Sequence, residues 1–211
     1  MNIIKPQTEQ RYQHYVPQFY LKFFSNNGKS IGMFRFSERK LIENASIKSN
    51  AGREYLYGKD NSVEKWFSIQ EGLWANIIRD IILLESIPTD PEKNILLRMC
   101  ILLTEQRTAH TADNLNDCIT EISRVSAKMM KAHGQLDVDD SLIDEVKVHV
   151  EGHMIPFIKG LPEIMMDISD LRFMLIRNKT SLQFITSDRP VARYNQVLVQ
   201  VSKVMHLLNC N

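Results

Sequence analysis

Cysteine is scarce in this sequence, and the three present, Cys100, Cys118 and Cys210, are odd in number and show no CxxC spacing. A disulfide framework and a zinc ribbon are therefore not indicated, and a reducing, cytoplasmic setting fits best. No uninterrupted apolar run approaches the ~20 residues that span a bilayer, and Met1-Asn2-Ile3-Ile4-Lys5-Pro6 lacks the apolar centre of a secretory signal, so no membrane association is expected. Charge of one sign is not in excess either. A formal net charge of +1 offers a polyanion no global attraction, so a nucleic-acid partner would need a local basic patch. GxGxxG, the Walker phosphate loop and the GxSxG elbow are missing, and no internal repeat is found.

What is there is the material of one globular domain covering residues 1–211. Hydrophobic residues make up 44% and charged residues 24%, enough of both to bury a core and keep it in solution. Near the N-terminus, Pro17 biases Val16 towards an extended backbone and opens a short helix bearing Phe19, Tyr20, Phe23 and Phe24. Ile31 to Phe36 and Leu41 to Ile47, separated by Ser37-Glu38-Arg39-Lys40, read as a β-hairpin. From Asn61 or Ser62 the period changes: Val63, Trp66, Leu73, Ile77, Ile81 and Leu84 mark a long amphipathic helix that ends before Pro88. Asp90-Pro91-Glu92 starts a second helix with Ile95, Leu96, Met99, Leu102 and Leu103 inward. Helical structure is expected through about Lys131 with a break near Asp113, and a further helix from Ser141 to about Ile158 with Leu142, Val146, Val150 and Ile155 inward. Leu171 to Arg177 and Leu182 to Thr186 read as a second hairpin. The expected architecture is α+β: an N-terminal hairpin, a central bundle of long helices, and a C-terminal hairpin joining one small sheet.

The polar residues that could carry chemistry are few. Glu71 has Phe67, Trp74, Ala75 and Ile78 as helix-surface neighbours, and Glu64 lies seven positions earlier, nearly in line with it. A carboxylate on such a stripe is paired, hydrogen-bonded or protonated, which suits a structural ion pair, a metal ligand or a general base. In the next helix Arg107 continues the stripe Leu96, Cys100, Leu103, and Gln106 continues Ile95, Met99, Leu102. Arg107 could neutralise a buried glutamate or form a phosphate fork. His149 and His153 stand four apart, a spacing that permits a shared metal, but the intervening Glu151 matches neither zincin pattern and Gly152 weakens a helix there. A solvated histidine pair is the better reading. Asp188 ends a strand pattern, where capping a turn is the common use.

Gln13-His14-Tyr15-Val16-Pro17-Gln18-Phe19-Tyr20-Leu21 together with Phe184-Ile185-Thr186-Ser187-Asp188-Arg189-Pro190-Val191 resembles the domain of unknown function 4238 family, an uncharacterised and mainly bacterial group. Glu64, Glu71 and Gln106-Arg107-Thr108 also resemble its pattern. The resemblance implies a shared fold and singles out His14, Glu71, Arg107 and Asp188 as one polar set, with Gln106 and Glu64 as ligand-binding neighbours. Two functions suit that set. One is a metal-dependent hydrolase, a phosphodiesterase or nuclease in mobile-element or phage conflict. In it His14 is base or ligand, Glu71 and Asp188 hold a divalent cation, and Arg107 binds phosphate. The other is a non-enzymatic interaction module in which the same residues are structural. Members of the family usually continue beyond the Ser-Asp-x-Pro turn, so residues 192–211 read as a shortened or irregular tail that leaves a strand edge uncovered.

Overall fold

The structure, a computed structural model, describes residues 11–192. The chain opens with β1 (Tyr12–His14) and the short α1 (Gln18–Lys22), then β2 (Ser30–Arg35) and β3 (Lys40–Ser46). A 3-10 turn (Ile47–Ser49) leads into β4 (Gly52–Glu54), and the rest is helical: α2 (Ser62–Leu84), α3 (Pro91–Gln106), α4 (Ala109–Ala132), α5 (Asp140–Glu145), α6 (Met154–Lys159) and α7 (Leu161–Asp167). The α+β class holds.

The N-terminal hairpin forms where the alternation places it. β2 and β3 are antiparallel, with Phe34 opposite Leu41 and an irregularity between Ile31 and Met33. β1 and β4 make a separate two-stranded ladder, pairing Tyr12 with Glu54, Gln13 with Arg53 and His14 with Gly52. The core lies between α2 and α3 and is closed by the loop before α2 and by α6 and α7. It contains Tyr57, Phe67, Trp74, Cys100, Leu103, Met154 and Leu161. α2 buries Val63, Phe67, Trp74, Ile77 and Ile81, a stripe at helical spacing. At the start of α3, Pro91 needs no amide partner and the Asp90 carboxylate accepts from the Glu92 amide at 2.8 Å.

Three expectations are corrected. The break between the third and fourth helices falls at Arg107-Thr108, not near Asp113, because Thr108 turns extended (φ −70°, ψ 152°) and its hydroxyl caps the Thr111 amide at 3.2 Å. The single helix expected from Ser141 to Ile158 is divided into α5 and α6. Between them α4 side chains take over the backbone: Thr120 Oγ1 accepts from the Val148 amide at 3.0 Å and Asn116 Oδ1 from the Val150 amide at 2.9 Å. Gly152 then turns the chain at φ +65°. Ile143 and Met154 are the buried apolar residues, while Leu142 points out.

The C-terminal hairpin joining one sheet is the third correction. Among the described residues, 171–192 form no ladder, and both sheets come from the first 54 residues. The expected turn is present, since Asn178 accepts from the Thr180 amide at 2.9 Å and donates to the Leu182 carbonyl at 2.6 Å. Strand pairing needs a face to bury, and here Met174 and Ile185 remain 86% and 93% exposed. Arg98 instead holds the carbonyls of Ile168 and Leu171 and stacks on Phe173. The tail expected over 192–211 lies, beyond Ala192, outside the described residues.

Gly52 sits opposite His14 in the β1–β4 ladder, and a Cβ there would meet the Tyr12 ring and stand 2.9 Å from the Gln13 carbonyl. Gly52→Ala is therefore expected to destabilise the fold by roughly 1–3 kcal/mol, the usual cost of overpacking. An unchanged urea midpoint would count against that close packing.

Candidate functional site

Gln13 is the first residue to fix the site. Its fully buried amide accepts from the Tyr57 backbone N–H at 2.6 Å and donates to the Gly58 carbonyl at 2.9 Å and to Asn61 Oδ1 at 3.1 Å. That places the loop before α2 against β1, with the Tyr57 hydroxyl donating to the His14 carbonyl at 2.9 Å.

Arg107, at the C-terminal cap of α3, enters the same space. Its Nη1 donates to Glu71 Oε1 at 2.7 Å, its Nη2 to the His14 carbonyl at 2.6 Å, and its Nε to the Tyr57 hydroxyl at 2.9 Å. The guanidinium also lies 4.0 Å from the centre of the Phe67 ring, a cation–π distance. The Arg107 side chain is 1% exposed and that of Glu71 23%. Three acceptors in three directions around one planar cation suit arginine and no other side chain. Burial pushes the Tyr57 phenol up to about 12, although Arg107 opposes it, so Tyr57 is a neutral donor and acceptor at any ordinary pH.

The sequence-predicted residues separate at this point. His14, Glu71 and Arg107 come together, but His14 joins the set through its backbone. Its ring lies with Nε2 3.1 Å from the Lys48 carbonyl and Nδ1 3.3 Å from Gln18 Nε2, which fits the neutral tautomer protonated on Nε2. Burial lowers the ring's pKa, and the Lys48 carbonyl only partly offsets that. Asp188 is exposed, and no hydrogen bond or ion pair joins it to His14, Glu71 or Arg107. It lies instead near Tyr15, whose phenol is raised by burial first and by Asp188 second. The same segment is fastened to α1 by a 2.9 Å bond between the Tyr20 hydroxyl and Thr186 Oγ1. The two motif-bearing arms thus touch beside the cluster without completing it. Gln106 is partly buried and takes no part in the bonds of Arg107. Glu64 is near enough to feel the cluster: burial pushes its carboxyl up to about 7, with Arg107 pulling down and Glu71 pushing up.

Among the described residues, no group of three or more His, Cys, Asp or Glu side chains could hold a metal ion. His149 and His153 do not share a helix face. His149 is exposed against Asn116, whereas His153 is buried 5.9 Å from the Tyr57 ring. A cavity of about 770 Å³ opens elsewhere, between Trp66, Ile95, Met99, Leu161 and Met165, and none of the predicted site residues lines it.

The pattern from β1 through Arg107 to the Ser187-Asp188 turn is matched over residues 12–207 by a family described as protein of unknown function, DUF4238. The chain belongs to the DUF4238 family. No curated protein and no solved structure matches it. Within this DUF4238 chain, the residue that sequence reasoning missed is Tyr57, which binds both His14 and Arg107. It sits in a loop with no periodicity, and its only signal is a large aromatic just ahead of Gly58.

Replacing Arg107 by methionine leaves the His14 carbonyl, the Tyr57 hydroxyl and Glu71 without their donor. The expected loss is roughly 3–5 kcal/mol, as for breaking a buried ion pair from one side. A loss below about 1 kcal/mol in urea unfolding, the scale of an exposed pair, would refute the cluster's structural weight. Glu64 supplies a pH test. Its raised value means that the native state holds a proton the unfolded chain releases, so stability falls as pH rises from about 4.5 to 7 and the penalty is complete above that. Thermal melts of Glu64→Gln should gain on wild type across this window, and parallel pH profiles would sink the assignment.

Proposed function

We propose that this DUF4238 domain is a protein-interaction module in which the Arg107 cluster is structural, pinning the N-terminal arm to the helical body. One observation carries the reading: the Arg107 guanidinium is 1% exposed and its Nη1, Nη2 and Nε are already given to Glu71, His14 and Tyr57. An arginine that grips a substrate phosphate presents a free fork to solvent. Here, using the fork would release the His14 carbonyl and with it the N-terminal arm. The His14 ring, committed to Lys48 and Gln18, is likewise occupied as a fastener. A cytoplasmic setting suits the free thiols of Cys100 and Cys118, and among the described residues no helix is long and apolar enough to cross a membrane.

The second reading is a hydrolase of phosphodiesters or nucleic acid acting in mobile-element or phage conflict. It is favoured by Glu64 and Glu71, where burial pushes Glu64 to about 7 while Glu71 stays partly open beside Arg107. A carboxyl raised by burial beside a second, partly open carboxyl is a placement that suits acid–base chemistry.

A panel of phosphodiester, phosphomonoester and nucleic-acid substrates, run with and without divalent metal, separates the two. Wild type and Glu71→Gln are expected to be equally inactive. Turnover by wild type that Glu71→Gln abolishes while keeping the native circular dichroism would replace the interaction module with the hydrolase.

A further inference from the structure

α4 spans Ala109–Ala132 and fully buries only Ala112 and Thr120. On the side facing away from those two, Leu115, Cys118, Ile122, Val125, Met129 and Ala132 recur at alternating spacings of three and four, the a and d positions of a heptad pattern. Ile122, Val125 and Met129 are 55%, 55% and 59% exposed, and Cys118 and Ala132 are exposed as well. The seam runs for about 26 Å at the helical rise. A surface helix ordinarily turns its apolar stripe inward; this one turns its seam outward.

We infer that α4 pairs antiparallel with α4 of a second copy of this chain. The charges choose both the occupant and the direction. When Ile122 is set opposite Val125 of the second copy, Cys118 faces Met129 and Leu115 faces Ala132, so the seam is self-complementary about a two-fold axis. The residues that flank it on one side are then Glu121 and Lys128, which face each other across the pair in both copies. A parallel pair would set Glu121 against Ser126 and Lys128 against His133, with no opposite charges. Both side chains are available, since Glu121 and Lys128 are 66% and 50% exposed and their present partners, Arg124 and Asp144, form exposed pairs. α5 does not occupy the seam. It holds α4 through Lys128 and Lys131, and the Val146 carbonyl just after it accepts from Arg124, all to one side of the seam.

The inference rests on the interaction-module reading and names its partner, yet the two fail separately: hydrolysis dependent on Glu71 removes the module, and a monomer removes the pairing. Sedimentation of the full chain at about 100 μM, a load that populates even micromolar dimers, should give a dimer. Val125→Glu should be monomeric with unchanged circular dichroism. Lys128→Glu should weaken the dimer at least about tenfold, and Glu121→Lys with Lys128→Glu should restore it, which the intramolecular pair with Asp144 could not do. Mild oxidation should not cross-link Cys118 to Cys118. A monomeric wild type, a Val125→Glu dimer, a charge swap no better than Lys128→Glu alone, or a Cys118 cross-link indicating a parallel pair would each overturn it.

Discussion

A guanidinium withdrawn from water is costly unless each direction of its fork meets an acceptor, and Arg107 meets that constraint with groups from three distant parts of the chain. Glu71 comes from α2, the Tyr57 hydroxyl from the loop before it, and the His14 carbonyl from β1. Each has a position only because the others do. Gln13 fixes the loop that carries Tyr57, and the β1–β4 ladder fixes the strand that carries His14. The aromatic faces of Phe67 and Tyr57 then enclose the cation. Arg107 also ends α3, so the place where two long helices part is where the N-terminal arm is tied down.

A lysine would not serve. Its three donors radiate from one nitrogen, whereas the acceptors here lie around a plane several ångströms wide. The choice of arginine therefore follows from acceptor geometry as well as charge, and it needs no bound ligand to account for it. The same geometry explains why a β1–β4 ladder of only three residues a side persists: two-stranded ladders are marginal alone, and this one is tied to the helical body by the cation's bond to the His14 carbonyl.

Much of this was legible in the sequence. The burial of Val63, Ile77 and Ile81 on α2, the Asp90-Pro91 start of α3 and the first hairpin follow from periodicity and capping chemistry that act within a few residues. Leu73, Leu84 and Ile95, expected on the apolar faces, are instead exposed, and Phe67 and Trp74 are buried in their stead. The approach of Arg107 to Glu71 was also readable, since both interrupt apolar stripes that had to face each other. What escaped is non-local or carried by the backbone. His14 attracts notice for its imidazole, yet its contribution to the cluster is a carbonyl that any residue supplies. Tyr57 has no pattern around it. The alternation in residues 171–186 is real but finds no surface among the described residues, and alternation without a face to bury does not make a strand. Asn116 and Thr120 replaced helix with extended chain after α5, and no propensity of residues 146–150 announces that partners on α4 will do so.

The protonation states around the cluster complete the picture of what it is built to do. His14 is held with its pKa below the usual 6.5, so the neutral ring stabilises the fold above that value and loses its contribution as acid protonates it. Glu64 is held the other way, up to about 7, so its protonated form is the one the fold prefers and alkali works against it. Both groups are shifted chiefly by burial, and both favour the uncharged species. Arg107 and Glu71, by contrast, meet directly, Nη1 to Oε1 at 2.7 Å. On the interaction-module proposal, burial that disfavours lone charges beside one directly bonded ion pair serves cohesion. Catalysis asks for the opposite, a charge left partly unsatisfied until substrate arrives, and the one group near that condition is Glu71, through the edge it leaves open to solvent.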